Sequence, residues 1–428
     1  MLDPQVIRDN PDSIKESVKA KQKEPSLVDT FLAIDKEWKD VLSKVELLRG
    51  ERNKASKEKD IEKGRKIKDE LALFEPQLAE VENRWRQALW AIPNTFDPET
   101  IIGKDETQNK VIRSWGKPTS FDFYPKDHIA LGEALSMIDV EKASTISGAR
   151  FSYLMGDFAL LEFSLMQFAL SVLGSPETLS KIANERGLEV SNKPFVPVIP
   201  PVMIRPEVFE RMGRLHPTEE RYYIPTDDTY LVGSAEHTMG PLHMDELLPE
   251  KLFPIRYVGF STSFRREAGS YGRDTRGILR VHQFDKMEIE SFTLPELGGV
   301  EQEFIVAIQE YLMTSLELPH QVMSICTGDM GGPDYRQYDI NTWIPSQAKY
   351  RETHTSDYMT DYQARRLNTR VRRVNNENQF VHMNDATVFA MGRTIIAIVE
   401  NNQQKDGSIL VPSVLQKWMG KEKIEKIK

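Results

Sequence analysis

The sequence predicts an α+β protein: a long antiparallel helical hairpin near the N-terminus, then a body in which strands mix with helices. Two runs of apolar residues at period 3.5 predict the hairpin. A break over residues 91–98, followed by strand-like runs rich in Tyr, Val, Ile and Phe, predicts the body. With 428 residues, 39% apolar and 28% charged, the chain suits two or three domains with a real core and is too apolar to be disordered.

The first seam is Phe31, Ile34, Trp38, Val41, Val45 and Leu48, and the second is Ile67, Leu71, Phe74, Leu78, Val81, Trp85 and Ala88. Steps alternating between three and four keep one apolar stripe on each helix, as two helices packed side by side require. Each helix should run roughly 30 residues, giving an arm about 45 Å long. Residues 57–64 carry no seam and read as the turn. Pro76, inside the second seam, should kink that helix or remove one hydrogen bond. The 91–98 break reads as a linker.

Charge is distributed unevenly. The chain carries 56 Lys and Arg against 65 Asp and Glu, a net −9, which taken alone argues against a polyanionic partner. Residues 49–68 run the other way, with nine cationic and four acidic side chains. That tip is either a solvated helical surface or a phosphate-contacting arm built on residues such as Arg49, Arg52, Lys54 and Lys57. Cys326 is the single cysteine, so neither an internal disulfide nor a cysteine-rich zinc site is expected. No apolar run approaches the ~18 residues of a membrane span, and the N-terminus lacks the pattern of a signal peptide. A reducing cytoplasm and no membrane partner are the expectation.

The segment richest in chemistry is 255–291. Two strand-like runs flank a loop holding Gly269, Gly272, Gly277, Arg273 and Arg276. Side chains two apart on a strand share a face, so Arg265 and Glu267 should point together, as should Arg280, Phe284 and Glu288. Guanidinium forks suit phosphate oxygens and an aromatic plane suits a base. The alternative is a face of mutually paired charges. The long loop favours a functional site.

Phe264-Arg265-Arg266-Glu267-Ala-Gly-Ser and Gly272-Arg-Asp-Thr-Arg-Gly-Ile-Leu-Arg280-Val281-His-Gln-Phe284 resemble motif 2 of class II aminoacyl-tRNA synthetases in its seryl-tRNA synthetase form. The resemblance covers essentially the whole chain. It includes Met1-Leu-Asp-Pro, Gly103-Lys-Asp-Glu, Val198-Ile-Pro-Pro201, Tyr350-Arg-Glu352-Thr353-His354-Thr355, Asp361 to Asn368, and Gly392-Arg393-Thr. It implies an N-terminal tRNA-binding domain over 1–102, with its coiled-coil arm at about 28–92. A class II catalytic domain over 103–428 would follow, built on an antiparallel β-sheet flanked by helices. It also implies ATP-dependent serylation of serine tRNA (and of selenocysteine tRNA where present), magnesium rather than zinc, a homodimer through the Pro200–Pro201 stretch, and a cytoplasmic enzyme.

Residue by residue, the resemblance puts Arg265, Arg393 and Glu352 at the chemistry. ATP falls to Arg265, Arg266, Glu267, Arg280, Val281, Phe284, Glu352, Thr353, His354, Thr355 and Arg393, with magnesium on Glu352 and Thr355. L-serine falls to Ser234, Ala235, Glu236, Arg265, Glu288, Asp385 and Thr387. The tRNA falls to Arg49, Arg52, Lys54, Lys57, Arg273 and Arg276. Asp385 departs from the family, which usually has Asn there. Three consequences are open: a higher cost of ionising Glu236 and Glu288, help in holding the substrate ammonium, or a bulge that presents Asn384 instead. On the first, Asp385→Asn should be neutral or beneficial. Rival readings are a non-catalytic tRNA-binding paralogue and an amino acid:carrier-protein ligase; the second would lack the arm.

Overall fold

The computed structural model describes residues 1–268 and 277–426. Short helices α1 (Pro4–Asp9) and α2 (Pro11–Ala20) each open on a proline at the first helical turn, where its missing N–H costs nothing. The arm follows as α3 (Ser26–Glu58) and α4 (Ile61–Ala91), 33 and 31 residues long. Phe31, Val41, Val45 and Leu48 are buried on one side of the seam and Ile67, Leu71, Leu78 and Val81 on the other. Ile34, Trp38 and Phe74 are half-buried.

The turn is shorter than the expected 57–64. It consists of Lys59, in the left-handed region at φ 57°, and Asp60, whose side chain accepts from the Lys63 N–H and caps α4. Lys and Glu are good helix formers, so loss of the apolar seam marks the end of packing and not of the helix. Pro76 lies within α4, which continues through it.

Asp35 is a buried carboxylate inside the seam. It accepts from Arg8 Nε at 2.8 Å and Nη2 at 2.6 Å, and from Trp85 Nε1 at 2.8 Å. Burial pushes its pKa up, yet Arg8 and Trp85 more than offset this and hold it at about 2. The pair ties the root of the arm to α1. The 91–98 segment is not a free linker. Asn94 Nδ2 donates to the carbonyls of Pro333 and Met359, both at 2.9 Å, and the Tyr362 hydroxyl donates to Ile92 O at 2.8 Å. Buried peptide groups must be paired, and here the body pairs them, fixing the arm relative to it.

The body is built on eight strands: β1 (Lys110–Trp115), β2 (Val196–Val198), β3 (Ile255–Phe264), β4 (Gln283–Thr293), β5 (His320–Ser324), β6 (Arg336–Ile344), β7 (Lys349–Tyr358) and β8 (His382–Ala390). They lie in the order β1-β5-β6-β7-β8-β4-β3-β2. Every neighbouring pair is antiparallel except β2 beside β3. Helices α5 (Asp157–Leu173), α6 (Gly298–Ser315) and α7 (Met391–Asn401) share a core with Met287, Ile289, Ile340, Ala386 and Val388 of the sheet. The run 391–399, whose β-branched stretch Thr394-Ile-Ile-Ala-Ile-Val399 reads as strand in the sequence, is helix α7. Residues 395–399 are fully buried, and an apolar run that short cannot be told from a strand by its sequence pattern alone.

Two features of the sheet open its other face. Strands β7 and β8 pair only over Ser356–Tyr358 with Asn384–Ala386 and then diverge. Gln309 of α6 spans the gap, its Nε2 donating to Thr355 O at 2.9 Å and Thr387 O at 2.7 Å. Replacing it by Met would orphan two buried carbonyls. Gln309→Met is expected to cost about 2–6 kcal/mol, from ~1–3 for each of the two unsatisfied groups, read as a lowered Tm by calorimetry.

Candidate active site on the open face of the sheet

Strand period alone would not bring the site together. Glu352 and Thr355 are an odd number of residues apart and should face opposite ways. In β7, His354 stands opposite Ile340 while Glu352 stands opposite Asn341, so Thr353 is an extra residue. This bulge turns Glu352 to the face that carries Thr355. A second register shift sets Met287 opposite Phe389 but Glu288 opposite Thr387, which makes Val388 the extra residue in β8. It lets Asp385 and Thr387 look into the cleft while Phe389 enters the core.

The cleft has a cavity volume of about 200 Å³. Glu267, Arg280, Val281, Phe284 and Arg393 line one part of it, and Glu236, Glu288, Asp385 and Thr387 another. Arg265 lies over the Phe284 ring at 5.3 Å, its Nε donating to Gly233 O at 3.0 Å. Arg393 Nη1 donates to Glu352 Oε1 at 2.9 Å. The strands stop sooner than expected. β3 ends at Phe264 and β4 starts at Gln283, so Arg265, Glu267 and Arg280 belong to the connection. Glu267 sits at φ 52°, a conformation no strand allows, and its carboxylate pairs with Arg280 Nε at 3.1 Å.

Some expected contact residues do not line the cleft. Arg266 turns outward, donates to Arg221 O at 2.9 Å and lies over Tyr222. His354 is buried against Phe389 and pushed by burial to about 3, leaving it neutral. Ser234 and Ala235 form the wall behind Glu236: the Ser234 hydroxyl lies 3.0 Å from Glu236 Oε2 and 3.2 Å from Glu288 Oε1. On the arm, Arg49 pairs with Glu75 at 3.0 Å, while Arg52, Lys54 and Lys57 are exposed. Arg273 and Arg276 lie outside the described residues.

Sequence reasoning missed two cations that line the cleft, Lys286 and Arg214. Lys286 ion-pairs with Glu288, and its place two residues away on the same strand face was the available signal. Arg214 follows the helix Pro206–Met212, and nothing near it in sequence marks it. Its Nη2 lies 3.0 Å from Asp385, 3.4 Å from Asp357 and 3.5 Å from Asp334, and its Nε lies 3.7 Å from Glu236. Asn384 points away and donates to Gly298 O, so no bulge exchanges it for Asp385. Because Asp385 is a partner of Arg214, Asn at this position does more than remove surplus charge.

The carboxylates differ in state. Burial raises Glu236, but Arg214 and then Lys286 outweigh it and lower the group to about 2. Burial and the neighbouring Glu236 raise Asp385 to about 7, against the pull of Arg214. Burial also raises Glu288, with Lys286 opposing. A buried acid raised this way binds a proton in the folded state that it releases on unfolding. Its contribution to stability is full below its unfolded value of ~3.9 and is lost as pH rises through about 7. The Tm of the unaltered chain minus that of Asp385→Asn should therefore grow as pH falls from 8 to 5. A pH-independent difference would contradict this assignment.

Among the described residues no group of three or more His, Cys, Asp or Glu is arranged to hold a metal. No single helix among them is long and apolar enough to cross a membrane. The family model of the seryl-tRNA synthetase N-terminal domain matches residues 1–96, and that of the class II tRNA synthetase core domain (G, H, P, S and T) matches 221–402. The serine–tRNA ligase of Acidothermus cellulolyticus is 39% identical over 431 residues, covering 98% of both chains. The seryl-tRNA synthetase of Pyrococcus horikoshii, solved with ATP, superposes with a TM-score of 0.88 at 35% identity over all of both chains. The cytoplasmic serine–tRNA ligase of Naegleria fowleri, solved with AMP, gives 0.82 at 26% identity, covering 98% of this chain and 96% of that one. With the arm, the sheet and relatives matched over 98% or more of the chain, it belongs to the seryl-tRNA synthetase family of class II.

Proposed function

We propose that the chain activates L-serine with ATP and transfers the seryl group to the 3′ end of serine tRNA. The observation that carries this reading is the division of the cleft. Phe284, Arg265 and Arg393 offer a stacking plane and two guanidinium groups, as a nucleoside triphosphate needs. Glu236, Glu288 and Thr387 offer carboxylates and a hydroxyl, as an ammonium and a small alcohol need. The Thr387 hydroxyl donates to Glu288 Oε1 at 3.2 Å, so the two already act together. The Pyrococcus horikoshii relative, solved with ATP, supports the first half.

A serine carboxylate oxygen attacks the α-phosphorus of ATP, and pyrophosphate leaves. The 3′-hydroxyl of the tRNA then attacks the acyl carbon, and AMP leaves. Neither step calls for a protein nucleophile, so positioning and charge stabilisation carry the catalysis, with Arg265 at the α-phosphate and Arg393 toward the γ-phosphate. Glu352 and Thr355 present only oxygen donors on one face, a set that fits magnesium, which binds through few protein ligands. Magnesium, when bound there, would neutralise phosphate charge. Selectivity would follow from burial: alanine offers Glu288 and Thr387 no hydroxyl to bond, and threonine adds a methyl group to a closed end.

The arm is the proposed tRNA-binding element, with residues 1–102 and 103–428 as the two functional units. Its exposed tip cations suit an RNA backbone read by shape. A homodimer is proposed from the edge of the sheet, where Val196, Ile199 and Met203 are exposed around Pro200–Pro201. A non-catalytic role has nothing in its favour, since Arg265, Glu288, Glu352 and Arg393 are all present in the cleft.

Serine-dependent exchange of labelled pyrophosphate into ATP tests activation. Exchange with serine, and none with alanine or threonine, is expected; no exchange with any of the three would sink the reading. Deleting residues 35–90 should spare that exchange and abolish tRNA charging, and charging that survives would remove the arm from recognition.

A further inference from the structure

We infer that Arg214 is a positioning residue of the amino-acid end of the cleft: anchored by Asp385, Asp357 and Asp334, it holds Glu236 as the charged acceptor of the substrate ammonium. The inference rests on the serine-activating reading above and adds to it a residue outside the family motifs.

The geometry is specific. Asp357 and Asp385 are direct cross-strand partners on β7 and β8, and Asp385 is in turn the partner of Glu290 on β4. Three acids thus lie side by side across three adjacent strands, and all are buried. Like charges directly opposite each other repel, so the row needs a cation over it. Arg214 is that cation. Its Nη2 contacts Asp385, Asp357 and Asp334, which come from two strands and the connection between β5 and β6. Its own carbonyl accepts from Arg221 Nη2 at 2.6 Å, fixing the backbone that carries it.

The other edge of the guanidinium faces the substrate end. Arg214 Nε is buried without a hydrogen-bond partner and lies 3.7 Å from Glu236 Oε1. At that separation it favours the ionised carboxylate without occupying its lone pairs. Ser234 satisfies only Oε2. Glu236 is left oriented, charged and able to accept from an incoming ammonium. A neutral Glu236 could not give a charge-assisted bond. Its lowered pKa and the raised one of Asp385 agree with this division: one cation among several acids, placed so that the acid facing the substrate keeps its charge.

The test is steady-state pyrophosphate exchange by the full-length chain with serine and ATP each varied. Arg214→Gln is expected to raise KM for serine about 50-fold, with KM for ATP within about twofold and kcat within about fivefold. The double variant Arg214→Gln/Asp385→Asn removes one of the acids left uncompensated and is expected to recover about fivefold or more of that loss. A structural role alone would instead lower Tm and kcat, with both KM values unmoved. Arg214→Lys guards against a misfolded Gln variant: an ammonium on a thinner stem cannot reach Asp385 and Glu236 together, so KM for serine should rise about tenfold. An unchanged KM for serine in either folded single variant, or equal losses for serine and ATP, overturns the role of Arg214 while leaving serine activation standing. An unaltered chain with no serine-dependent exchange overturns both.

Discussion

Six carboxyl groups, Glu236, Glu288, Glu290, Asp334, Asp357 and Asp385, converge at the inner end of the cleft, with Arg214 and Lys286 the cations in ion-pair contact with them among the described residues. Desolvation makes such a crowd costly unless each group is paired or protonated. The protein uses both solutions. Glu236 keeps its charge beside Arg214, while burial and mutual repulsion hold Glu290, Asp357 and Asp385 toward the protonated form. Both oxygens of Glu290 lack a hydrogen-bond partner, as does Oδ1 of Asp357, which marks where that compensation is thinnest. On the proposed role of Glu236, affinity for an ammonium-bearing substrate then depends on where one guanidinium sits.

The sheet delivers these groups because it is irregular in two places. A regular ladder would send Glu352 and Thr355 to opposite faces and keep β7 and β8 paired along their length. The extra residues Thr353 and Val388 re-aim the strand ends, and Gln309 satisfies the carbonyls that the divergence exposes. The helix beneath the sheet is thus part of the site's architecture, although it contributes no side chain to the cleft. Bulges beside an active site are a common means of gathering residues that strand period would scatter.

What could be read from the sequence follows from how local each signal is. The arm was legible because its seam repeats over many turns, and the cleft-lining residues Arg265, Glu267, Arg280, Phe284 and Glu288 because they fall within one run. Lys286 was within reach of the same reasoning. Arg214 was not: it is a single arginine in a connection, and its anchoring aspartates arrive from 120 to 171 residues later in the chain. Asp35 was hidden by the seam itself, since a heptad reading passes over a buried carboxylate whose partner Arg8 belongs to another helix. The limits of β3 and β4 were overestimated because residue spacing cannot reveal the positive φ at Glu267, three residues after β3 has ended.

The net charge of −9 and the basic tip are two aspects of one arrangement. Part of the acidity of the body lies in the cleft, where the carboxylates, proposed to receive a small cationic group, are shielded from a polyanion by burial. The tip cations stand about 45 Å from the root of the arm, from ~1.5 Å per helical residue. That distance is several Debye lengths at physiological salt, so the two fields act almost independently. An RNA drawn to the tip then relies on the stiffness of the arm for its placement. The Asp35–Arg8 pair, the Trp38–Trp85 stack at 5.0 Å and the paired backbone of Ile92 and Asn94 supply that stiffness at the root. Loss of rigidity there would leave both the tip and the cleft chemically intact and still separate the two events they serve.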